Sequence, residues 1–250
     1  MPIELRVFAL PGIPELTPGA DLARAIADAV PRHGAAIEAG DVFVVAQKIV
    51  SKAEGAVVAL ADVEPSDRAR QWADAWGKDA RMVEVVLRES IRIVRMERGI
   101  IISETRHGFV CANAGVDASN VEPGFVTVLP RDPDRSAARL RDGLIAMLGR
   151  PVAVIVSDTF GRPWREGVVD VALGVAGLQP LADWRGRSDP FGRRLQSTVI
   201  AVADEIASAA ELVMGKTCRT PVAVVRGAVE WAGEGTASRL VRDPSLDLFR

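Results

Sequence analysis

The chain has 250 residues, of which 48% are hydrophobic and 26% charged, and its formal net charge is −2. This composition is that of a soluble globular protein with a large core, and it lacks the basic charge expected of a nucleic-acid-binding protein. No apolar run approaches the ~20 residues of a membrane span, residues 1–10 alternate like a strand rather than a signal peptide, and the two cysteines imply no disulfide framework. We therefore expect a cytoplasmic protein without nucleic-acid or membrane partners, folded as a single unit over residues 1–250 that could have two lobes.

Hydrophobic periodicity predicts alternating strands and helices in the first half of the chain. In the first predicted helix, Leu22, Ile26 and Val30 share one face. A later helix begins near Ser66 and ends before Gly77. The predicted strands are 3–9, 41–45, 91–95, 99–102 and 124–129, and the predicted helices are 20–31, 65–77 and 80–88.

The second half continues the same mixture of elements, which together predict an α+β fold. An amphipathic helix is expected to end at Gly149, and the segment 168–176 is read as apolar and small. The predicted helices are 134–148 and 204–214, the predicted strands are 151–156, 198–202 and 222–226, and 183–194 is predicted to be a charged loop.

The most informative segment, residues 157–167, follows a strand rich in Val and Ile. Carboxylate and hydroxyl oxygens such as those of Asp158 and Thr159 can bind Mg²⁺ or Mn²⁺. Arg162 and Arg165 can bind phosphate or carboxylate groups. Because binding loops favour strand ends in α/β sheets, the segment predicts a site for an anionic, metal-bound substrate. The plainer interpretation is a polar loop that caps the strand and leads into a helix.

Tryptophans are interpreted by their surroundings. Trp164 lies in the polar segment and is a candidate for stacking on a planar ligand. Trp72 and Trp76 have helical spacing and are predicted to lie in the core.

A second polar segment, residues 107–120, contains Asp117 and Asn120 at a spacing that lets both point the same way. Asp117 pairs naturally with Asp158, since each follows an apolar segment in a Gly-rich setting. With Thr159, the two carboxylates could bind one or two divalent ions, a recurrent arrangement for phosphoryl transfer. The same segment allows a different hypothesis, in which Cys111 is a nucleophile with His107 as its base, although free cysteines are usually buried and inert.

Lysines provide two further candidate phosphate contacts. Lys48 and Lys52 would share one face if their segment is helical, and could then bind a triphosphate. Gly215 and Lys216 resemble the end of a P-loop, but the motif follows a helix instead of preceding one. We interpret them as a glycine C-cap with a favourably placed lysine, which could still touch phosphate.

Several of these segments together closely resemble the coenzyme F420-0:L-glutamate ligases. The resemblance is carried by residues 47–55, 107–120 and 157–167, and residues 204–216 fit the same family. It covers nearly the entire chain, in order and with compatible spacing. It implies a family-specific α+β fold of mixed sheets and helices in an intertwined homodimer. Some relatives carry a C-terminal flavin-binding reductase domain, which is expected to be absent here because the chain ends at Arg250.

The resemblance implies an activity, its cofactors and its residues. The family uses GTP, Mn²⁺ or Mg²⁺, and a monovalent ion such as K⁺ to add L-glutamate, once or repeatedly, to coenzyme F420-0 through a γ-linked amide. The implied metal ligands are Asp117, Asp158 and Thr159, with Lys52 joining the two aspartates in catalysis. The implied nucleotide contacts are Leu10, Pro11, Gly12, Ile13, Gln47, Lys48, Lys52, Asn120, Gly215 and Lys216. The last two belong to a loop at 214–221 that is implied to contact the nucleotide as a whole.

The implied chemistry is activation of a carboxylate followed by amide formation. The acceptor carboxylate attacks the γ-phosphate of GTP to give an acyl phosphate, and the amine of glutamate then displaces phosphate. We assign Arg162, Trp164 and Arg165 to the acceptor from their charge and position. Two alternatives to this function are a γ-glutamyl or amino-acid ligase for another acid, such as a folate, and a GTP-binding module without turnover.

Overall fold

The computed structural model describes residues 4–34 and 36–248. In chain order, the strands are β1 (Arg6–Ala9), β2 (Val42–Ala46), β3 (Val57–Ala59), β4 (Ser90–Glu97), β5 (Ile100–Thr105), β6 (Val110–Ala112), β7 (Phe125–Thr127), β8 (Ala153–Gly161), β9 (Val168–Ala176), β10 (Ala182–Asp183), β11 (Val199–Ile200) and β12 (Val222–Arg226). The α-helices are α1 (Leu22–His33), α2 (Gln47–Ala53), α3 (Asp67–Trp76), α4 (Ala80–Glu89), α5 (Pro133–Leu148) and α6 (Val202–Met214). Short 3₁₀ helices cover Leu60–Asp62, Asn113–Gly115, Val229–Trp231, Ala237–Leu240 and Pro244–Leu246.

A five-stranded mixed sheet in the order β1-β12-β2-β8-β9 forms the centre of the fold. β2 and β8 are parallel, and the other neighbours are antiparallel. The inner strands are apolar on both sides because helices cover both faces: α1 and α5 pack on one face and α6 on the other. The predicted α+β fold with mixed sheets is therefore confirmed.

A third apolar cluster lies apart from this sheet. It is built from α3, α4 and residues of the β4-β5-β6 and β3-β7 sheets, including Val86, Ile101 and Val126. No helix in the described part of the chain combines the length and apolar character needed to cross a bilayer.

Capping residues define the helix ends that the sequence predicted. The Ser66 hydroxyl accepts a hydrogen bond from the Ala69 amide at the start of α3, and Gly77 ends that helix with a left-handed φ of 62°. At α5, Asp132 accepts from the Arg135 amide, and Gly149 has a φ of 64°. These two helices lie within two residues of their predicted bounds.

Several predicted element bounds were wrong. β8 does not end at Val156 but continues through Gly161, and residues 157–167 lead through a hairpin into β9 rather than into a helix. The strand predicted at 198–202 is only β11, because α6 begins at Val202. The strand predicted at 3–9 begins at Arg6, and residue 3 lies outside the described residues. Trp76, predicted to lie in the core, is 45% exposed, whereas Trp72 is partly buried against the third cluster.

Gly174 permits the close approach of α5 to β9. A Cβ atom there would lie 2.1 Å from the carbonyl oxygen of Pro133. We expect Gly174→Ala to lower the free energy of unfolding by about 1–3 kcal/mol, because the backbone of α5 must move to relieve the clash. Urea denaturation measures this change. The control is Gly161→Ala, since nothing lies within 4 Å of a Cβ at Gly161; an equal loss in both variants would contradict the prediction.

Candidate active site

Four strands of the central sheet bring the predicted site segments to one edge. β1 ends there at Ala9, and the amide of the next residue, Leu10, donates to the Val222 carbonyl at the start of β12 (2.8 Å). β2 ends beside them, and its Ala46 pairs with Ser157 of β8. The segments that begin at Leu10, Gln47 and Ser157 therefore meet, as does the loop that leads from α6 into β12. Strand ends at one sheet edge are a frequent position for ligand sites.

Leu10, Pro11, Gly12 and Ile13 follow β1 directly. Leu10 is completely buried, and the Gly12 carbonyl accepts a hydrogen bond from Arg32 at 2.8 Å. This segment is therefore held to the sheet at one end and to α1 at the other.

α2 positions the two lysines as the sequence predicted. It begins immediately after β2, and Lys48 and Lys52 lie one turn apart. The Lys52 ammonium group donates to the Asn120 carbonyl and forms an ion pair with Glu15. Gln47 is buried and accepts a hydrogen bond from Ser51 at 2.8 Å. Residues 47–52 thus contact the polar segment around Asn120.

Asp117 is held by hydrogen bonds from α2 and from its own polar segment, residues 107–120. Its carboxylate accepts from the Lys48 ammonium group at 2.6 Å and from the Ser119 amide at 2.6 Å. Burial disfavours the charged carboxylate, but these donors outweigh it and hold the pKa of Asp117 below its ordinary value. Asp117 is therefore a carboxylate at neutral pH.

Asp158 lies within the electrostatic reach of Asp117. Burial, and then the charges of Asp170 and Asp117, raise its pKa to about 7, and the Thr159 amide and Lys48 only partly offset them. Asp117 and Asp158, the two carboxylates that the sequence paired, thus influence each other, and the charge of Asp170 also reaches Asp158. Their mutual repulsion would be relieved by a bound cation.

Asp158 and Thr159 point to opposite faces of β8, because successive residues of a strand alternate. On the Thr159 face, the hydroxyl of Thr159 donates to Asp170 at 2.6 Å, and the hydroxyl of Ser157 donates to the same carboxylate at 3.0 Å. Two metal positions, one on each face, suit this arrangement better than one ion shared by both side chains.

Lys216 joins the Thr159 face from the loop after α6. Its ammonium group donates to the Thr159 hydroxyl and lies 3.3 Å from an Asp170 oxygen. Gly215 follows α6 directly, so Gly215 and Lys216 come after a helix, whereas the same residues of a P-loop come before one.

Asp170 is a functional candidate that the sequence analysis missed. It is 4% exposed and lies opposite Thr159 in β9. The sequence contained the signal, since Asp170 is the only charged residue of β9. A charged residue within an apolar strand needs a partner, and here the partners are Ser157, Thr159 and Lys216.

The hairpin between β8 and β9 carries Arg162, Trp164 and Arg165. Trp164 is 82% exposed and has a φ of 60°, which is unusual for a bulky residue. An Arg162 amino group donates to the Glu166 carbonyl at 2.5 Å, which closes the turn. These three residues lie beyond the carboxylates, at the tip of the hairpin.

Cys111 is poorly suited to act as a nucleophile. It is 6% exposed, and burial together with the charge of Asp158 raises the pKa of its thiol to about 12. His107 Nε2 instead lies 3.1 Å from the Arg131 carbonyl. The geometry therefore argues against the cysteine-dependent hydrolase.

Within residues 4–34 and 36–248, no three His, Cys, Asp or Glu side chains converge as a ready-made metal cage. Asp117 and Asp158 nevertheless suit Mg²⁺ or Mn²⁺, because Mg²⁺ is usually bound by one or two carboxylates together with substrate phosphates. The donor set thus fits a metal that arrives with a nucleotide.

The raised pKa of Asp158 predicts a pH dependence of stability in protein without added metal. The folded state holds this proton up to about pH 7, whereas the unfolded chain releases it near 3.8. Stability from this group is therefore fully present below the lower pKa and is lost as pH rises towards 7. We expect the Tm of the wild-type protein to fall relative to that of Asp158→Asn as the pH rises from 4 to 8. A Tm difference that stays constant over this range would contradict the assignment.

Comparison with known proteins gives a consistent result. The model of the family described as F420-0:Gamma-glutamyl ligase matches residues 12–227. A coenzyme F420:L-glutamate ligase of Methanopyrus kandleri is 49% identical, covering 98% of each chain. Its counterpart in Methanothermobacter thermautotrophicus is 46% identical over 98% of this chain and 99% of the relative. That of Archaeoglobus fulgidus is 41% identical over 99% and 97%.

Proposed function

The chain belongs to the F420-0:gamma-glutamyl ligase family and is therefore an enzyme of coenzyme F420 biosynthesis, and we propose that it drives glutamate ligation by phosphorylating the acceptor carboxylate with GTP. Family membership displaces the alternatives of a ligase for another acid and of a GTP-binding module without turnover. The observation that best supports the GTP-dependent mechanism is the convergence of Asp117, Asp158 and Lys48 at one sheet edge.

Asp117, Asp158 and Thr159 would hold one or two divalent cations, Mn²⁺ or Mg²⁺. When bound, the metal supplies positive charge to the phosphoryl oxygens. A monovalent ion such as K⁺ would assist, as the resemblance to the family implies. The two faces of β8 allow one ion near Asp158 and another near Thr159.

The nucleotide would lie along the sheet edge. Lys48, Lys52 and Lys216 would contact phosphate oxygens as point charges, and residues 10–13, Gln47, Asn120 and Gly215 would line the rest of the site. Lys48 is bound to Asp117 in the described structure, so it must exchange this partner for phosphate or bridge both.

The reaction then needs no covalent enzyme intermediate. The acceptor carboxylate attacks the γ-phosphorus, GDP leaves, and an acyl phosphate forms. The amine of glutamate attacks the acyl carbon, and phosphate leaves with formation of the amide and release of a proton. The lysines would stabilise charge that builds on the transferred phosphoryl group, and Lys52 is held in place by its hydrogen bond to the Asn120 carbonyl.

Arg162, Trp164 and Arg165 remain candidates for contacting the acceptor from the hairpin tip. We also propose an intertwined homodimer in the cytoplasm. Apolar side chains on the β4–β5 hairpin support a face covered by a second copy, since Ile91 is 65% exposed and Ile100 is 52% exposed.

Mass spectrometry tests the reaction. Coenzyme F420-0 incubated with the protein, GTP, Mn²⁺ and L-glutamate should gain one or more glutamyl residues. Omission of GTP or its replacement by ATP should prevent the gain. A product of the same mass formed without nucleotide would contradict the proposed mechanism.

Asp170 should act as a positioning residue. Asp170→Asn keeps the size of the side chain but weakens its hold on Thr159 and Lys216. We expect Mn²⁺ affinity or kcat to fall by about 10–100-fold, the usual effect of losing a residue that orients a metal ligand. Calorimetric titration with Mn²⁺ and steady-state kinetics measure these effects.

Ser208→Ala is the matched control for Asp170→Asn. The Ser208 hydroxyl donates to the Asp170 backbone carbonyl at 2.8 Å and leaves the carboxylate untouched. Wild-type metal affinity and kcat in Asp170→Asn would contradict the positioning role.

A further inference from the structure

A cleft of about 680 Å³ lies between the N-terminal end of α5 and the turn before β6. Its walls include His107, Phe109, Arg131, Arg135, Leu173 and Ser238. The volume is within the usual range of small-molecule sites, roughly 300–1,000 Å³. These six residues are separate from the candidate metal ligands, the candidate nucleotide contacts and the arginines and tryptophan of the β8–β9 hairpin.

The cleft adjoins the carboxylates along two strands. The ring of Phe109 meets the ring of Phe160 edge-on, with 6.2 Å between centroids. Phe160 follows Asp158 by two residues and so lies on the same face of β8, about 7 Å further along the strand. Cys111, two residues beyond Phe109, is in turn close enough to Asp158 for its charge to act on the thiol.

The carboxylates of the cleft are already engaged. Asp132 caps α5, Asp134 accepts from the amides of Val175 and Ala237 at 2.9 and 2.7 Å, and Glu54 pairs with Arg139 at 2.7 Å. Within the described residues, by contrast, the guanidinium groups of Arg131 and Arg135 have no hydrogen-bond or ion-pair partner. The cleft therefore presents two uncommitted positive charges.

Two aromatic rings, those of His107 and Phe109, line another part of the same cleft. The rings of His107 and Phe109 are stacked, with 5.5 Å between centroids and an angle of 23° between planes. Such a pair offers a face to a planar ring, while arginine forks match phosphate and carboxylate groups. A planar, anionic ligand fits both features.

We propose that this cleft binds the acceptor substrate, with its aromatic ring against His107 and Phe109 and its phosphodiester on Arg131 and Arg135. The inference rests on the proposed function, in which the reacting carboxylate must reach a phosphoryl group near Asp158. It assigns the acceptor to the cleft in preference to the hairpin tip of Arg162, Trp164 and Arg165.

The test is direct binding of coenzyme F420-0 by calorimetry, which does not require turnover. We expect the double variant Arg131→Ala/Arg135→Ala to bind coenzyme F420-0 about tenfold or more weakly, and its KM for this substrate to rise in parallel. GTP affinity in the presence of Mn²⁺ should remain within about twofold of wild type, because neither arginine belongs to the nucleotide site. Both side chains are exposed, so the fold should persist.

Two comparisons decide the outcome. Arg150→Ala removes an exposed arginine after the far end of α5 and should bind coenzyme F420-0 like wild type. Wild-type binding in the cleft double variant, or loss of binding only in Arg162→Ala/Arg165→Ala, would overturn the inference. If wild-type protein binds coenzyme F420-0 through the two arginines but forms no product, the proposed function fails and the cleft assignment stands.

Discussion

Asp158→Asn should lower kcat for glutamate ligation by about a hundredfold or more while the protein remains folded. Asn has nearly the same shape, but its neutral amide cannot supply the negative charge that a divalent cation requires. Loss of a metal ligand removes several kcal/mol of transition-state stabilisation, and about 3 kcal/mol already corresponds to a hundredfold. Steady-state ligation rates at saturating GTP, Mn²⁺ and coenzyme F420-0 measure the effect.

The structure also predicts how this variant behaves without substrate. The pKa of Asp158 is raised to about 7 by burial and by its acidic neighbours. Removing its charge relieves that repulsion, so Asp158→Asn should be at least as stable as wild type at pH 8 in the absence of metal. Low activity in a well-folded variant would separate a catalytic role from a structural one.

Asp142→Asn is the matched control, since Asp142 lies exposed on α5. It should retain full activity. Turnover by Asp158→Asn within about threefold of this control would contradict the role of Asp158, because a threefold change is well under 1 kcal/mol.

Arg226→Ala should lower the free energy of unfolding by about 3–5 kcal/mol, the largest stability effect that we expect. Arg226 ends β12 and binds both oxygens of Asp41, at 2.9 and 2.7 Å. Asp41 is 1% exposed, so truncation of Arg226 leaves a buried carboxylate without its cation. The pair lies at the opposite end of β2 from the candidate site, and activity of the remaining folded protein should be near normal.

Urea denaturation of three variants tests this expectation. Asp41→Asn/Arg226→Met removes both charges together and should be less destabilised than Arg226→Ala, since no buried charge is left unpaired. Arg81→Ala is the control, because Arg81 pairs with Asp79 at an exposed position and should cost under about 1 kcal/mol. Equal losses in Arg226→Ala and Arg81→Ala would contradict the importance of the buried pair.

Local signals in the sequence predicted much of the fold. Ser66, Gly77 and Gly149 mark helix ends through capping geometry that depends only on neighbouring residues. Lys48 and Lys52 were correctly placed on one helical face because that inference needs only the period of a helix. Such signals do not depend on the rest of the chain.

The hairpin of β8 and β9 was missed because its residues change pattern within one strand. Residues up to Val156 are apolar on both faces, as in a covered strand, whereas Ser157, Asp158 and Thr159 carry polar side chains next to the site. We interpreted this change as the end of the strand. β8 continues to Gly161 because these residues pair with β9. A short stretch of sequence does not reveal which strand will pair with it.

The Thr159 face could not be predicted for a related reason. Lys216 lies 57 positions from Thr159 and 46 from Asp170, and only the packing of α6 against the sheet brings them together. The exposed position of Trp76 has the same origin, since helical spacing indicates a shared face but does not say which element covers it.

The transfer of oxygen from the acceptor to phosphate would reveal whether GTP phosphorylates the acceptor carboxylate. Coenzyme F420-0 labelled with ¹⁸O in both oxygens of its reacting carboxylate would be incubated with the protein, GTP, Mn²⁺ and L-glutamate, and the inorganic phosphate analysed by mass spectrometry. Formation of an acyl phosphate predicts one ¹⁸O atom in each phosphate released and its loss from the amide product. Amide formed without ¹⁸O in phosphate would contradict phosphorylation of the acceptor carboxylate by GTP.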